Sequence, residues 1–456
     1  MKNLTLKNIA SCCGGTYYGK EELLESCVQS ITTDSRKAEE GCLFVPIVGE
    51  RADGHNFIGQ VMEKGALCTL SERILEEAPG PYIKVESSLQ AVKDIAVFYL
   101  RQLKIPVVGI TGSVGKTSTK EMIAAVLAQK YHVLKTQGNF NNELGLPLTV
   151  FRLRDEHEIA VLEMGISDFG EMHRLAAIAE PDTCVITNIG SCHLEFLGDL
   201  DGVLKAKTEI FEHMKPEGRA ILNGDDAKLA TVHDVNGKTP VFFGFDNKFP
   251  VYADEIDNQG LDGILCRIHC GEEAIQVHIP VPGVHMVRNA LAGAAVGKEY
   301  GLTMEEIKAG IESMEPVSGR FHIIKTAEYT IIDDCYNANP MSMKASLGVL
   351  GDAVGRKVAL LGDMGELGKD EIAMHEEVGQ FAAQSGIDLL VCTGDLCQHM
   401  AVAAKNASEG KLEVLHMKNR EELEEKLSSI LKKGDNILIK ASHFMHFEKI
   451  VELLEK

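Results

Sequence analysis

Ile105-Pro106-Val107-Val108-Gly109-Ile110-Thr111-Gly112-Ser113-Val114-Gly115-Lys116-Thr117-Ser118 is the stretch on which the fold turns. Its continuous apolar run reads as a buried strand, and a glycine-rich turn then leads into a helical stretch from about Thr117 to Gln129, giving the order strand, loop, helix. Backbone N–H groups in such a turn reach phosphate oxygens only where side chains do not intervene. Gly112, Ser113, Val114 and Gly115 are therefore a candidate phosphate cradle that runs on through Lys116, Thr117 and Ser118. Lys116 would neutralise β and γ phosphates, Thr117 would place its hydroxyl on Mg²⁺, and the helix would aim its positive N-terminal dipole at the same anion. A full Walker pattern wants glycine where Ile110 stands, so the loop is a shortened form. A surface turn that happens to contain Gly-Lys-Thr is the bland alternative; the strand before it and the helix after it weigh against that.

Outward from this unit, strand-like runs lie at Ile159 to Glu163 and Cys184 to Asn188, separated by helix-period segments, which is the rhythm of a parallel α/β sheet. Residues 1 to 104 mix short apolar runs, such as Leu43 to Val48, with turn-rich pieces such as Gly49-Glu50-Arg51-Ala52-Asp53-Gly54, and read as a small α+β unit. Thr303 and Glu306 have the spacing of a capping box for a helix that ends near Met314, and Pro316 to Gly319 then break the chain. Beyond a boundary near 317, strands are expected near Thr330 to Asp334, Val358 to Gly362, Leu389 to Cys392, Leu412 to Leu415 and Asn436 to Lys440. The expected fold class is α/β in three domains: a small α+β domain over 1–104, a central P-loop-type nucleotide-binding domain over 105–316 and a Rossmann-like domain over 317–456.

A chain of 456 residues, 45% hydrophobic, is long enough for about three domains of roughly 150 residues. Its 46 basic and 67 acidic residues leave a formal charge of −21, which argues against non-specific binding to nucleic acid or an anionic membrane. Any anionic substrate must be gripped by local positive groups. The twelve cysteines are scattered; the pairs Cys266/Cys270 and Cys392/Cys397 lack the second half of a zinc knuckle, so all read as reduced thiols of a cytosolic interior. The N-terminus has no apolar signal stretch and no run nears the ~20 residues that span a bilayer, so a soluble cytoplasmic protein is expected.

Strand Ile159 to Leu162 ends in Glu163, and carboxyl ends of strands in an open α/β sheet face the nucleotide crevice. A carboxylate there can hold a metal. The next strand is followed by Gly190-Ser191-Cys192-His193, which puts an imidazole over the same strand ends; alone, His193 would be read as a loop histidine. Lys205 and Lys207 begin a helical stretch whose default reading is a solvated polar face.

With Asn139-Phe140-Asn141-Asn142-Glu143-Leu144-Gly145-Leu146-Pro147, Leu162-Glu163-Met164-Gly165, Asn188-Ile189-Gly190, His193-Leu194-Glu195, Asn289-Ala290, Gly319-Arg320-Phe321 and Asp334-Cys335-Tyr336-Asn337-Ala338-Asn339-Pro340 added in this order to the loop, the chain resembles the Mur ligases. NNELGLPLT and DDCYNANP are similar to the branch that adds D-alanyl-D-alanine. The resemblance implies ATP, two Mg²⁺ ions and three domains for a UDP-N-acetylmuramoyl-tripeptide, ATP and the incoming amine. It implies that Glu163 and His193 bind the second Mg²⁺ and that Lys207 is carbamylated, with Lys205 the alternative. Asn289 would contact adenine, Arg320 the phosphates and Asp334 the ribose, with Tyr336 and Asn337 flanking the nucleotide. Asn141 and Asn142 fall to the substrate, and in the first domain Ser35, Arg36, Asp53 and His55 resemble the UDP-binding segment; an ordinary N-cap and polar turn is the alternative for Thr33-Asp34-Ser35-Arg36. Two departures stand out: Val48 where many relatives have lysine, and His443 where Lys-Gly-Ser-Arg is usual.

The implied chemistry is activation of a peptide carboxylate by ATP and capture of the acyl phosphate by the amine, with Lys116, Arg320 and the metals supplying positive charge. No protein nucleophile is needed, and the partners are small molecules on an expected monomer. Two other readings are a folylpolyglutamate-synthase-type ligase with a different acid and amine, and a nucleotide-binding module that has lost catalysis. Retention of Glu163, His193 and Lys207 together argues against the second.

Overall fold

The structure, a computed structural model, describes residues 1–49 and 52–456 and contains three sheets. In the first, β1 (Thr16–Tyr18), β2 (Ile31–Thr32), β3 (Leu43–Phe44), β4 (Cys68–Ser71) and β5 (Tyr82–Lys84) lie in the order β1-β5-β4-β3-β2, with only β1 antiparallel to its neighbour. The run Leu43 to Val48 forms a strand at Leu43–Phe44 only: Val45 still donates to Thr32 O at 2.9 Å, and then Pro46, which has no N–H, ends the ladder. Gly49 N–H donates to Ala52 O at 3.0 Å; Glu50 and Arg51 of the expected turn lie outside the described residues.

The second sheet holds β6 (Val107–Thr111), β7 (Val133–Lys135), β8 (Ile159–Glu163), β9 (Thr183–Ile186), β10 (Arg219–Asn223), β11 (Val241–Gly244), β12 (Val251–Asn258), β13 (Ile264–Cys270) and β14 (Glu273–Ile279). Their order is β14-β13-β12-β11-β10-β9-β6-β8-β7, parallel from β7 to β12 and antiparallel over β13 and β14. All five residues of β6 are buried, as an apolar strand must be when both faces are covered. β6 has β8 on one side and β9 on the other, so the chain reverses its direction of travel here and a crevice opens at the carboxyl ends of these three strands. The antiparallel extension is not among the elements expected from the sequence. Its period-2 signal is nevertheless present, since Ile264, Cys266, Ile268 and Cys270 are buried while Arg267 is exposed.

The third sheet, β15 (His322–Lys325), β16 (Thr330–Asp333), β17 (Lys357–Gly362), β18 (Leu389–Thr393), β19 (Glu413–Met417) and β20 (Asn436–Lys440), runs in the order β15-β16-β20-β17-β18-β19, with β15 alone antiparallel. The strand expected at Leu412 to Leu415 sits one to two residues later. The capping box at Thr303 and Glu306 is formed and opens the helix Met304–Glu312. Buried Tyr99 donates its hydroxyl to Leu153 O at 2.6 Å, tying the helix Ser88–Leu103 to the central sheet's surroundings. On the other side, the His285 and Phe321 rings pack at 5.4 Å between the second and third sheets. Among the described residues, no helix is long and apolar enough to cross a membrane.

The closest backbone approach at the crevice is at Gly112, where φ is 152° and a Cβ would lie 1.9 Å from Thr187 Oγ1. Gly112→Ala is therefore expected to lower stability by about 2–4 kcal/mol through strain and overpacking, read by thermal unfolding; an unchanged melting temperature would show that loop and strand end do not pack this way.

Candidate active site

The carboxyl ends of β6, β8 and β9 face those of β16, β17 and β20 across a cleft of about 930 Å³, lined by residues from both sheets. The phosphate loop is clasped to the end of β9. Ser113 N–H donates to Asn188 O at 3.0 Å and Val114 N–H to Asn188 Oδ1 at 2.9 Å, while Thr187 Oγ1 and Asn188 Nδ2 donate to Val114 O at 2.7 and 2.9 Å. The expected cradle is thus narrower than the loop: two of its amides are spent on Asn188. The open donors belong to the first turn of the helix Lys116–Leu127, which starts from Gly115 at φ 80° and has no side-chain cap. Lys116 folds back to donate to Gly112 O at 2.9 Å, Thr117 is buried and Ser118 half-buried beside it.

Glu163, at the end of β8, is 1% exposed. Its Oε1 accepts from Asn141 Nδ2 at 2.8 Å, whereas Oε2 has no hydrogen-bond partner and lies 3.8 Å from Lys120 Nζ. An orphaned, buried carboxylate oxygen facing a cleft fits a cation. Lys120 was not singled out from the sequence, although its place one helical turn beyond Lys116 puts it on the same face. It is buried and anchored on Thr136 O at 2.7 Å and Glu121 Oε1 at 3.0 Å. Asn142 caps its own loop, accepting from Gly145 N–H at 2.8 Å.

His193 lines the same cleft with φ 52°, but its Nδ1 sits 3.0 Å from Glu366 Oε2 and out of line with it, a close polar contact rather than a directed hydrogen bond. The two lysines separate cleanly. Lys205 is exposed, with its Nζ 5.8 Å from the Phe169 ring centroid, whereas Lys207 is 1% exposed, so the solvated-face reading holds for the first and fails for the second. Burial pushes the Lys207 amine down to about 8, with Cys192 and Lys116 the ionisable groups near enough to modify it.

From the third sheet, the Arg320 guanidinium stacks 4.0 Å over the Tyr336 ring, whose centroid is 5.5 Å from that of His443. Asp334 is buried at the end of β16 and accepts from Lys440 Nζ at 2.6 Å and Ser346 Oγ at 2.7 Å. Lys440 also donates to Asn337 O at 3.0 Å, so one buried ammonium at the end of β20 shapes the whole 334–337 loop. That role was not legible from the sequence because the partners are 103 and 106 residues apart. Asn289 accepts from Thr119 Oγ1 at 2.9 Å beneath the phosphate loop.

The first-domain candidates are not part of this cleft. Asp34 caps a short 3-10 turn and pairs with Arg36 at 2.8 Å, and Ser35 O accepts from Lys64 at 2.8 Å. His55 is buried with both ring nitrogens engaged: Nδ1 with Asp53 Oδ1 at 2.7 Å and Nε2 accepting from Glu72 N–H at 3.0 Å. Asp53 also accepts from Arg73 at 3.2 Å. His55 and Asp53 therefore brace the loop, and Arg36 is the exposed cation of the group.

Residues 28–109 match the family model described as the Mur ligase family catalytic domain, 110–297 the Mur ligase middle domain and 319–443 the Mur ligase glutamate ligase domain. The UDP-N-acetylmuramoyl-tripeptide--D-alanyl-D-alanine ligase of Bacillus subtilis (strain 168) is 38% identical over 453 residues, covering 98% of this chain and 97% of that protein. The ligase of the same name from Escherichia coli (strain K12) is 34% identical, covering 100% and 99%. Among solved structures, MurF from Acinetobacter baumannii aligns with a TM-score of 0.90 at 32% identity, covering 99% of each chain, and the MurF ligase from Thermotoga maritima in complex with ADP aligns at 0.81 and 30%, covering 94% and 97%. With three consecutive family domains, end-to-end similarity to these ligases and a phosphate loop facing a buried carboxylate, the chain belongs to the Mur ligase family.

Proposed function

We infer that this chain is an ATP-dependent ligase that joins D-alanyl-D-alanine to UDP-N-acetylmuramoyl-tripeptide, forming ADP and phosphate, in the synthesis of peptidoglycan precursors for cell-wall growth and division. The observation that carries the reading is the end-to-end likeness to ligases of that name, in a molecule whose cleft joins an uncapped phosphate-loop helix to a buried carboxylate. The three units divide the work: 1–104 holds the UDP-linked substrate, with the exposed Arg36, paired to Asp34, as a cation for it, 105–316 holds ATP and 317–456 brings the amine. ATP, nucleotide-linked substrate and unpaired cysteines together suit a cytoplasmic protein.

A carboxylate does not form an amide with an amine at neutral pH because its leaving group would be oxide. The terminal carboxylate oxygen of the tripeptide therefore attacks the γ-phosphorus of ATP, the bond to the bridging oxygen breaks and ADP departs, leaving an acyl phosphate. The first-turn amides of the helix Lys116–Leu127 bind the phosphates, and Lys116 leaves Gly112 O to neutralise them. Arg320, held flat on Tyr336, approaches from the opposite wall, and Asp334 keeps one oxygen for the ribose while Lys440 fixes the other. Asn289, Tyr336 and Asn337 flank the base and sugar. The free amine of D-alanyl-D-alanine then attacks the acyl carbon, loses its proton, and phosphate leaves. Closure of the two walls keeps water from the acyl phosphate.

Glu163 Oε2, His193 and Thr117 are suited to hold Mg²⁺, which would screen the repulsion between the carboxylate and the phosphates. For His193 this means exchanging its contact with Glu366. Lys207 is suited to carbamylation: its buried amine is neutral once pH passes about 8, and a neutral amine adds CO₂ with loss of a proton, giving an anion whose burial a neighbouring Mg²⁺ would offset. Lys205, exposed, has no such push.

Phosphate release is expected only when D-alanyl-D-alanine and the UDP-muramoyl tripeptide are both present; stimulation by glutamate with a folate instead would replace this reading. Lys116→Ala should lower kcat by about 10³-fold or more with an unchanged circular dichroism spectrum, and a Lys116→Ala enzyme of normal turnover would remove the phosphate-loop assignment. Activation by bicarbonate should grow as pH rises through about 8. Lys207→Ala should be inactive and partly restored by short carboxylic acids; restoration of Lys205→Ala in its place would move the carbamate to that residue.

A further inference from the structure

Away from the cleft, the helix Glu171–Ala179 and the 3-10 turn Glu209–His213 present three facing side chains. His173 Nδ1 lies 2.6 Å from Glu212 Oε2, and His173 Nε2 lies 3.4 Å from His213 Nε2. With Glu212 taking the Nδ1 proton of His173, the Nε2 of that ring is left as a lone pair aimed at a second imidazole nitrogen. Burial and the neighbouring His173 ring hold His213 below the usual histidine range. The two Nε2 atoms face each other within reach of one shared proton, and a cation between them would take that proton's place and be held by both lone pairs.

The spacing selects the cation. Zn–N bonds of about 2.0–2.1 Å at a tetrahedral angle put two nitrogens about 3.4 Å apart, which is the separation of the two Nε2 atoms. Neutral imidazole pairs suit Zn²⁺, Ni²⁺ or Cu²⁺ and not the oxygen-seeking Mg²⁺. We propose that His173 and His213 form a transition-metal site, taking Zn²⁺ or a similar borderline divalent cation, with Glu212 orienting His173 from behind and solvent completing the coordination.

The frame is already rigid. Both carboxylate oxygens of Glu209 accept from Gly170 N–H, at 3.1 and 3.0 Å, and one also accepts from His173 N–H at 3.2 Å, so the turn carrying His213 caps the helix carrying His173. The 3-10 turn continues directly from the helix Leu200–Thr208, which bears Lys207, and the helix Glu171–Ala179 begins at Glu171 on the cleft wall. A bound ion would therefore pin together two elements that border the cleft without occupying it.

Calorimetric titration of the full nucleotide-free chain with Zn²⁺ is expected to show a site that excess Mg²⁺ does not displace, and saturation should raise the melting temperature by about 2 °C or more. His173→Ala and His213→Ala should each weaken this binding by about 100-fold, and Glu212→Gln by about 10-fold, with turnover unchanged in zinc-free buffer that contains Mg²⁺. Wild-type Zn²⁺ affinity in the His173→Ala/His213→Ala double variant would overturn the proposal. In crystals of the unmodified chain soaked with Zn²⁺, an anomalous peak should lie between the two Nε2 atoms, and its absence would overturn it equally.

Discussion

The clasp between the phosphate loop and the end of β9 is the constraint on which the rest of the cleft depends. Thr187 and Asn188 spend their side chains on Val114, and Gly112 comes so near Thr187 that only hydrogen fits between them. This draws β6 and β9 into one surface and turns the first turn of the helix Lys116–Leu127 outward with its amides unfilled. An uncapped helix start costs stability in isolation, because its N–H groups have no intrahelical partner. In the proposed function that cost is the means of holding an anion.

Opposite it stands a wall built by a different sheet on the same plan. Asp334, Asn337 and Lys440 are gathered at the carboxyl ends of β16 and β20, and a buried lysine–aspartate pair fixes their loop. Breaking such a pair by removing one partner leaves a buried charge uncompensated, a cost of about 3–5 kcal/mol, so the loop's shape and the pair's survival are linked. Arg320, on a backbone bridge just before β15, rests on an aromatic face and, among the described residues, pairs with no carboxylate, which leaves its N–H groups free for phosphate. The only described contact that joins the walls through ionisable side chains at the metal candidates is His193 with Glu366. Under the proposed metal assignment, a cation at Glu163 would compete with Glu366 for that histidine.

How far all this was legible from sequence depends on the range of each signal. The phosphate loop is local: strand, glycines, lysine and helix follow one another within a dozen or so residues, and the structure keeps that order. Glu163 at a strand end and the capping box at Thr303 are local in the same sense. Pro46 ends a strand that the apolar run alone would extend too far, and the antiparallel extension after β12 carries its own local signal in the alternation from Ile264 to Cys270. His55 shows the limit from the other side. Its motif suggested a ligand contact, whereas both ring nitrogens are engaged by the protein.

The order of local units along the chain thus determined the three-part α/β architecture and the family resemblance, since strand periodicity, turn chemistry and motif order are all carried by neighbouring residues. Tertiary structure alone decided which of two nearby lysines is buried, which loop amides remain open, and that a lysine near the C-terminus holds an aspartate more than a hundred residues before it. The physical reason is desolvation: a group's charge, reactivity and free valence are set by what surrounds it once water is excluded, and those surroundings come from distant parts of the chain that only folding brings together.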